Sequence, residues 1–317
     1  MAQALDLKPL VQAETRLRPR FGWLSDRLLG TVFLSPTLIL LLFITIFPLI
    51  WSLYLSFTSY GVIRDPSWTE AKWIGTQNYA DLLADPQLWG RFALSAAFVV
   101  PAVTLEFLLG FGIALLLNRE FKGRGFISTV ILIPMMLTTV VVGVFWRFMF
   151  QADIGVVNYF LSLVGIKPVL WFDSGLTAMA TLVIVDTWQW TPFIMLISLA
   201  GLSAVPKYLY EAADVDRASG WFKFRNITLP LVSPLLLIAI LFRLMDTYKL
   251  FDLGWVLTGG GPGESTKLLP IHLYLIAFSQ FDTGRASAIG YIMLIVIIAL
   301  ANLLIRVLNQ VKAESNA

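Results

Sequence analysis

The stretch "LLGTVFLSPTLILLLFITIFPLIWSLYLSFTSYGVI", residues 28 to 63, contains no Asp, Glu, Lys or Arg. A bilayer core about 30 Å thick needs roughly 20 apolar residues as a helix, whereas a membrane strand needs about ten and alternates with polar residues. The run therefore predicts a membrane-spanning helix. Two more uncharged runs follow, Gly125 to Trp146 and Ala286 to Ile305. Three others are interrupted by charge: Phe92 to Asn118 contains Glu106, Ser174 to Ser203 contains Asp186, and Asn226 to Phe251 contains Arg243, Asp246 and Lys249. The reading is an all-α integral membrane protein with six transmembrane helices. A hydrophobic content of 58% in 317 residues, with mean hydropathy +0.78, agrees with it.

Lys and Arg set the expected orientation. Segments 1–30, 118–125, 202–226 and 306–317 together hold 14, and the intervening loops 59–90, 151–173 and 252–282 hold 4. By the positive-inside tendency both termini are cytoplasmic. The net charge of +3 reflects this sorting and gives no nucleic-acid signal. The expected layout is a cytoplasmic segment 1–30, a six-helix domain 31–308 containing a polar inner loop 203–226, and a cytoplasmic tail 309–317. Small residues at Ala286 and Gly290 in the last span suit a close helix contact.

The usual energy-harvesting and catalytic motifs are missing. No GxxxxGK[ST] occurs, and in "GGGPGESTK" the glycines and Lys267 are out of register for a phosphate-binding loop. With no cysteine and a single histidine, thiolate metal sites, disulfides and paired-histidine zinc sites are excluded. His272 reads as a surface or interfacial ring. "GLSAV" at 201–205 lacks the second glycine of a nucleophile elbow. The chain reads as a non-enzyme without a cofactor of its own.

The polar loop "SAVPKYLYEAADVDRASGWFKF" sits between two late spans. Pro206 suits a first helical turn, and the helix is expected to run through Ala218, with Gly220 as a stop and a short helix from Trp221. Leu209, Ala212, Ala213 and Asp216 fall near one face. A thin, charge-edged helix of this kind either enters a groove on another protein or lies on the chain's own inner face.

"EAA" followed at a fixed distance by "ITLP" resembles the EAA signature of permease subunits of binding-protein-dependent ABC importers. The likeness extends to the maltose-type carbohydrate permeases through "FPLIWSLYLSFT", "WIGTQNY", "LLNREFKGRG", "WTPFIMLISLAGLSAVPKYLYEAA" and "FDLGWVLTGGGPGESTKLLPIHLY". The resemblance implies that Glu211, Ala212, Ala213 and Asp214 dock on a cytoplasmic ATPase, with Asp216 and Arg217 at the margin. Arg217 stands where the family usually has glycine, so the bend is expected to move to Ser219-Gly220. The implied partners are a second permease, two ATPase subunits that bind the ATP, and an extracytoplasmic substrate-binding protein. The implied location is a bacterial cytoplasmic (inner) membrane.

Charges at bilayer depth normally face protein or water. Asp186 and Arg243 are expected to lie near one another. Asp186, Gln189, Trp190 and Phe193 share one helical face, and Arg243, Asp246, Thr247 and Leu250 another. Acidic and amide groups beside aromatic rings suit a sugar, so these eight residues form the expected solute path, or else a polar lock between subunits. Glu106 reads as a packing or pairing residue. Gly259, Gly260, Gly261 and Pro262 form either the contact for the binding protein or a plain turn. Alternatives to a carbohydrate importer are an importer of glycerol phosphate or a polyol, an ion-coupled transporter driven through Asp186 and Glu106, and a membrane scaffold for a cytosolic partner.

Overall fold

The computed structural model describes residues 26–315, so the expected N-terminal segment 1–30 lies almost wholly outside the described residues. The chain forms two units, Met1–Tyr54 and Leu55–Ala317. The first consists, where described, of helix α1 (Asp26–Ser56) up to Tyr54. It is apolar all round, as a span in lipid must be. Phe43, Phe47 and Trp51 stack along it at 5.5 and 6.4 Å between ring centres, the i, i+4 neighbours of a helix.

Helix α1 stops at Ser56, short of the expected Ile63. In the second unit Thr58 turns its N–H and hydroxyl back to the Leu55 carbonyl (2.9 and 2.8 Å) and pairs with Trp73 in an isolated bridge. The Asn78 amide donates to the carbonyls of Ser56 and Thr58 at 2.8 and 2.9 Å. These bonds satisfy the chain outside a helix, so residues 57–63 begin the loop.

The rest of that unit is helical: α2 (Gln77–Ala84), α3 (Pro86–Leu117), α4 (Arg124–Met136), α5 (Thr139–Met149), α6 (Val156–Leu163) and α7 (Gly175–Ala204). After these come α8 (Lys207–Val215), α9 (Gly220–Lys223), a π-helical turn Phe224–Thr228, α10 (Leu229–Tyr248), α11 (Asp252–Leu257), α12 (Leu269–Phe278) and α13 (Thr283–Ser315). The starts of the long helices α3 and α7 are chemically marked. Asp85 caps α3 by accepting from the Gln87 N–H at 2.9 Å with Pro86 in the first turn, and Ser174 caps α7 by accepting from the Thr177 N–H at 3.2 Å.

Five described helices are long and apolar enough to cross a membrane, and a sixth crossing exists only if α4 and α5 count as one. The expected single span Gly125 to Trp146 is bent by 98° between them. Pro134 lacks the N–H of its position, α4 ends two residues on at Met136, and Leu137 and Thr138 are extended. The Gln189 amide donates to the carbonyl of Leu137 (3.2 Å) and the hydroxyl of Thr139 (3.3 Å), serving polar groups that the break exposes. Helix α13 runs to Ser315, through most of the expected tail.

Helices α3 and α7 make the most extensive contact. It is tight at Gly110, where a Cβ would lie 2.7 Å from the Ile194 Cβ and 2.8 Å from the Thr191 carbonyl oxygen. The expected close approach at Gly290 is looser, its nearest neighbour Leu273 lying at 3.7 Å. Two apolar cores flank the crossing. One gathers Phe98, Leu182, Leu253, Leu269 and Ile289, and the other Phe111, Met195, Leu202, Val232 and Leu236.

Candidate functional site

Between the two cores lies a buried ion cluster assembled from three helices. Arg243 on α10 donates through Nε and Nη2 to both oxygens of Glu106 on α3, each at 2.7 Å, and through Nη2 to Asp186 on α7 at 3.0 Å. Its Nη1 reaches Asp246, one turn on, at 3.1 Å. Glu106 and Asp186 are fully buried and Arg243 nearly so, whereas the Asp246 side chain is 55% exposed. Trp190 covers the guanidinium, 4.6 Å from ring centre to carbon, in cation–π geometry. The expected approach of Asp186 and Arg243 is present, and Glu106, read only as a pairing residue, supplies the bidentate half of the arrangement.

Beside the cluster opens a cavity of about 600 Å³. Helix α7 lines it with Trp190, Phe193 and Ile197, and α10 with Phe242, Arg243, Met245, Asp246 and Lys249. Trp190 and Phe193 meet edge to face at 6.4 Å. Of the expected path residues, Trp190, Phe193, Arg243 and Asp246 come together here. Asp186 does not line it because it is turned into the ion cluster, and Gln189 does not because it serves the α4–α5 break. Thr247 is buried and Leu250 packs against the first core. The lining face of α10 is thus 242, 243, 245, 246 and 249, which shares Arg243 and Asp246 with the expected one.

The loop between α7 and α10 is built around α8. Its exposed face is Tyr208, Glu211, Ala212 and Val215, at i, i+3, i+4 and i+7, with Val215 84% exposed. Ala213 is buried on the opposite side, beside half-buried Leu209 and Tyr210. The expected face of Leu209, Ala212, Ala213 and Asp216 is therefore split, because the chain's own body takes Leu209 and Ala213. Tyr208 and Val215 were missed, although their spacing with Glu211 was readable. Asp214 is bound to Lys223 at 2.6 Å.

Helix α8 also ends earlier than the expected Ala218, and Arg217 takes the left-handed conformation itself, with φ of 54°. The N–H of Ala218 bonds the Ala213 carbonyl at 2.9 Å and that of Arg217 bonds the Asp214 carbonyl at 3.0 Å. These are the two closing bonds of a Schellman cap. The bend consequently stays at 217 and does not move to Ser219-Gly220. Downstream, the hydroxyls of Tyr210 and Thr228 meet at 2.8 Å, joining α8 to the π-helical turn. Pro230 has no N–H to return to Asn226, which suits a widened turn at that point.

The glycine loop after α11 is closed on itself. Gly259 and Gly260 have φ of 62° and 89°, and the Thr266 hydroxyl reaches the Gly261 carbonyl at 2.7 Å and the Thr258 hydroxyl at 2.8 Å. Arg91 of α3 binds the Glu264 carboxylate and donates to its carbonyl at 3.1 Å, and Lys267 adds a bond to the carboxylate at 3.0 Å. Those two cations hold the Glu264 carboxyl below its usual range. Gly259, Gly260, Gly261 and Pro262 thus form an anchored arch, and Arg91, its anchor, had no sequence signal. His272 is buried beneath it, against expectation, because α12 packs that side into the first unit-two core. Burial first, then Lys267, Arg91 and Arg285, hold its imidazole down to about 4.

No group of three or more His, Cys, Asp or Glu among the described residues could hold a metal ion. Residues 106–312 match the family model described as binding-protein-dependent transport system inner membrane component. A probable ABC transporter permease protein, y4oQ, of Sinorhizobium fredii is 39% identical over 269 residues, covering 85% of this chain and 86% of the relative. The trehalose/maltose transport system permease protein MalF of Thermococcus litoralis is 35% identical, covering 86% and 90%. In fold the chain is similar to one in the crystal structure of a bacterial ABC transporter involved in the import of the acidic polysaccharide alginate, with a TM-score of 0.76 at 21% identity, covering 95% of this chain and 99% of that one. A multi-pass helical protein with this match over most of its length belongs to the family of inner membrane components of binding-protein-dependent transport systems.

Proposed function

We propose that the chain is a permease subunit of a carbohydrate ABC importer in a bacterial cytoplasmic membrane, forming the translocation path with a second, related permease. Two ATPase subunits supply the energy and an extracytoplasmic binding protein delivers the solute. The observation that carries the solute class is the cavity beside the ion cluster. Trp190 and Phe193 offer apolar ring faces, and Asp246 and Lys249 offer an acceptor and a donor, the mixture a sugar's C–H face and hydroxyls require. Relatives named for trehalose and maltose transport support the class.

The same geometry speaks against two rivals. An anion such as glycerol phosphate finds the guanidinium already committed to Glu106, Asp186 and Asp246 and would rest on Lys249 alone. An ion-coupled transporter needs carboxylates that can bind and release a cation, whereas Glu106 and Asp186 are shut in with Arg243.

Lys and Arg asymmetry puts the α7–α10 loop on the cytoplasmic side. There the exposed face of Tyr208, Glu211, Ala212 and Val215 is the surface we assign to the ATPase, with Asp214, Asp216 and Arg217 beside it. The glycine arch on the opposite side is assigned to the binding protein. Reconstitution of the complex tests the assignment. Val215→Asp places a charge in an apolar contact and is expected to lower solute-stimulated ATP hydrolysis about tenfold or more while insertion stays normal. Uptake unchanged by both Val215→Asp and Glu211→Lys refutes it.

A further inference from the structure

We propose that the loop joining α5 to α7 carries a second, separate site that takes one neutral sugar ring, an entry point distinct from the α7–α10 cavity. The inference rests on the carbohydrate reading above, and it shares no residue with the cavity that supports that reading.

The loop encloses a cavity of about 270 Å³, lined by Arg147, Phe150 and Gln151 at the end of α5 and by Trp171, Phe172 and Asp173 just before α7. These two short segments are brought together by one buried amide. Asn158 of α6 donates through Nδ2 to the carbonyls of Ala152 and Val169, each at 3.0 Å. Its Oδ1 accepts from the Val169 N–H at 3.2 Å and the Trp171 indole N–H at 3.0 Å. The Trp171 ring is thus fixed at its polar edge, and buried Phe150 supports it at 4.9 Å between ring centres. A binding wall held this way loses little conformational freedom when it is occupied.

The polar rim is uncommitted where the wall is not. Gln151 and Asp173 make no side-chain hydrogen bond among the described residues, and Arg147 spends only Nη1, on the Val256 carbonyl at 3.0 Å. A fixed indole with a donor fork, an acceptor carboxylate and an amide around it matches a pyranose. The ring C–H face stacks on the indole, and each hydroxyl both donates and accepts. Opposite charges on Arg147 and Asp173 leave no preference for an anion. The volume lies just under the ~300–1,000 Å³ that drug-sized ligands occupy, which fits one ring and not a chain of them. With the cytoplasmic assignment of α8, this loop faces the side from which solute arrives.

The full chain in nanodiscs, probed with glucose by saturation-transfer NMR, tests the proposal through three variants whose melting temperatures are checked alongside. Trp190→Ala removes the aromatic wall of the other cavity, and saturation of glucose is expected to persist in it. Trp171→Ala is expected to lower the signal about fivefold. Asp173→Asn leaves every Asn158 bond in place and is expected to lower it about twofold without a change in melting. A signal abolished by Trp190→Ala and untouched by the two loop variants overturns the entry site while leaving the carbohydrate reading standing. Absence of transfer to glucose in the wild-type protein also overturns the entry site, and the carbohydrate reading then stands or falls on the uptake assay above.

Discussion

Arg243→Met removes the one cation from a pocket that holds two fully buried carboxylates. Its bonds to Glu106 at 2.7 Å and to Asp186 at 3.0 Å are the only ion pairs those two carboxylates make among the described residues. Breaking such a buried arrangement by deleting one partner costs about 3–5 kcal/mol, because the abandoned charges stay out of water. The fourth contact adds little, as Asp246 is 55% exposed and an ion pair of that kind is worth about 1 kcal/mol or less. At about 2 °C per kcal/mol for a chain of this size, the variant should melt about 6–10 °C below wild type. The apolar triple replacement Glu106→Leu, Asp186→Leu, Arg243→Met should recover most of that loss, since a dry core of similar volume needs no compensation for buried charge. Melting of detergent-purified protein followed by fluorescence-detected size exclusion measures both. Arg243→Met melting within about 2 °C of wild type would show that water or an alternative partner reaches the carboxylates, and the reasoning fails.

Gly110→Val should cost about 1–3 kcal/mol, because its side chain starts 2.7 Å from Ile194 and 2.8 Å from the Thr191 carbonyl; an unshifted melt would show that α3 and α7 separate freely. Arg217→Gly should stabilise the end of α8 by about 0.5–1 kcal/mol, since glycine takes a φ of 54° without the clash of a Cβ and gives back part of the gain in unfolded-chain entropy. Slower amide exchange at Ala218 reports it, and faster exchange contradicts it. His272 is held near 4 when folded against 6.5 in its ordinary state, so the unfolded chain takes up the proton first as pH falls. Stability from this group is complete above pH 6.5 and is lost on descending toward 4. His272→Phe should flatten that part of the melting profile, and an unchanged slope refutes the assignment.

Five of the expected spans, the loop helices and the meeting of Asp186 with Arg243 were legible, because each follows from a cost that has no dependence on tertiary detail. An uncharged run long enough to cross lipid must become a helix, and an acid and a base at similar depth lower each other's burial cost. The break at Leu137 was hidden for the opposite reason. Pro134 is one of several prolines within the described spans, and which of them breaks its helix depends on whether a donor such as the Gln189 amide stands ready at the exposed carbonyl. Arg91 was hidden likewise, since its partner Glu264 lies 173 residues away.

The misplaced faces have a common cause. On α10 the expected set 243, 246, 247 and 250 and the lining set 242, 243, 245, 246 and 249 share Arg243 and Asp246, but their centres differ by roughly 80° of rotation. Helical pitch is a property of the backbone and can be read from spacing alone, but phase is set by what covers each side. In a water-soluble helix polarity marks the uncovered side and supplies the phase. In lipid the outside is as apolar as the core, so Leu250 facing a core and Phe242 facing a cavity look alike in sequence. Helix α8, at the water surface, meets a related difficulty, because Ala212 and Ala213 are too small and neutral to declare a side. Only the packing of Leu209 and Tyr210 onto the chain's own body decides it, and that decision leaves Val215 as the most exposed apolar residue of the loop. A branched aliphatic side chain so placed costs hydration free energy in the isolated chain that a partner's groove would return. The face that charge and spacing failed to phase is therefore fixed by burial, and it presents Tyr208, Glu211, Ala212 and Val215 together.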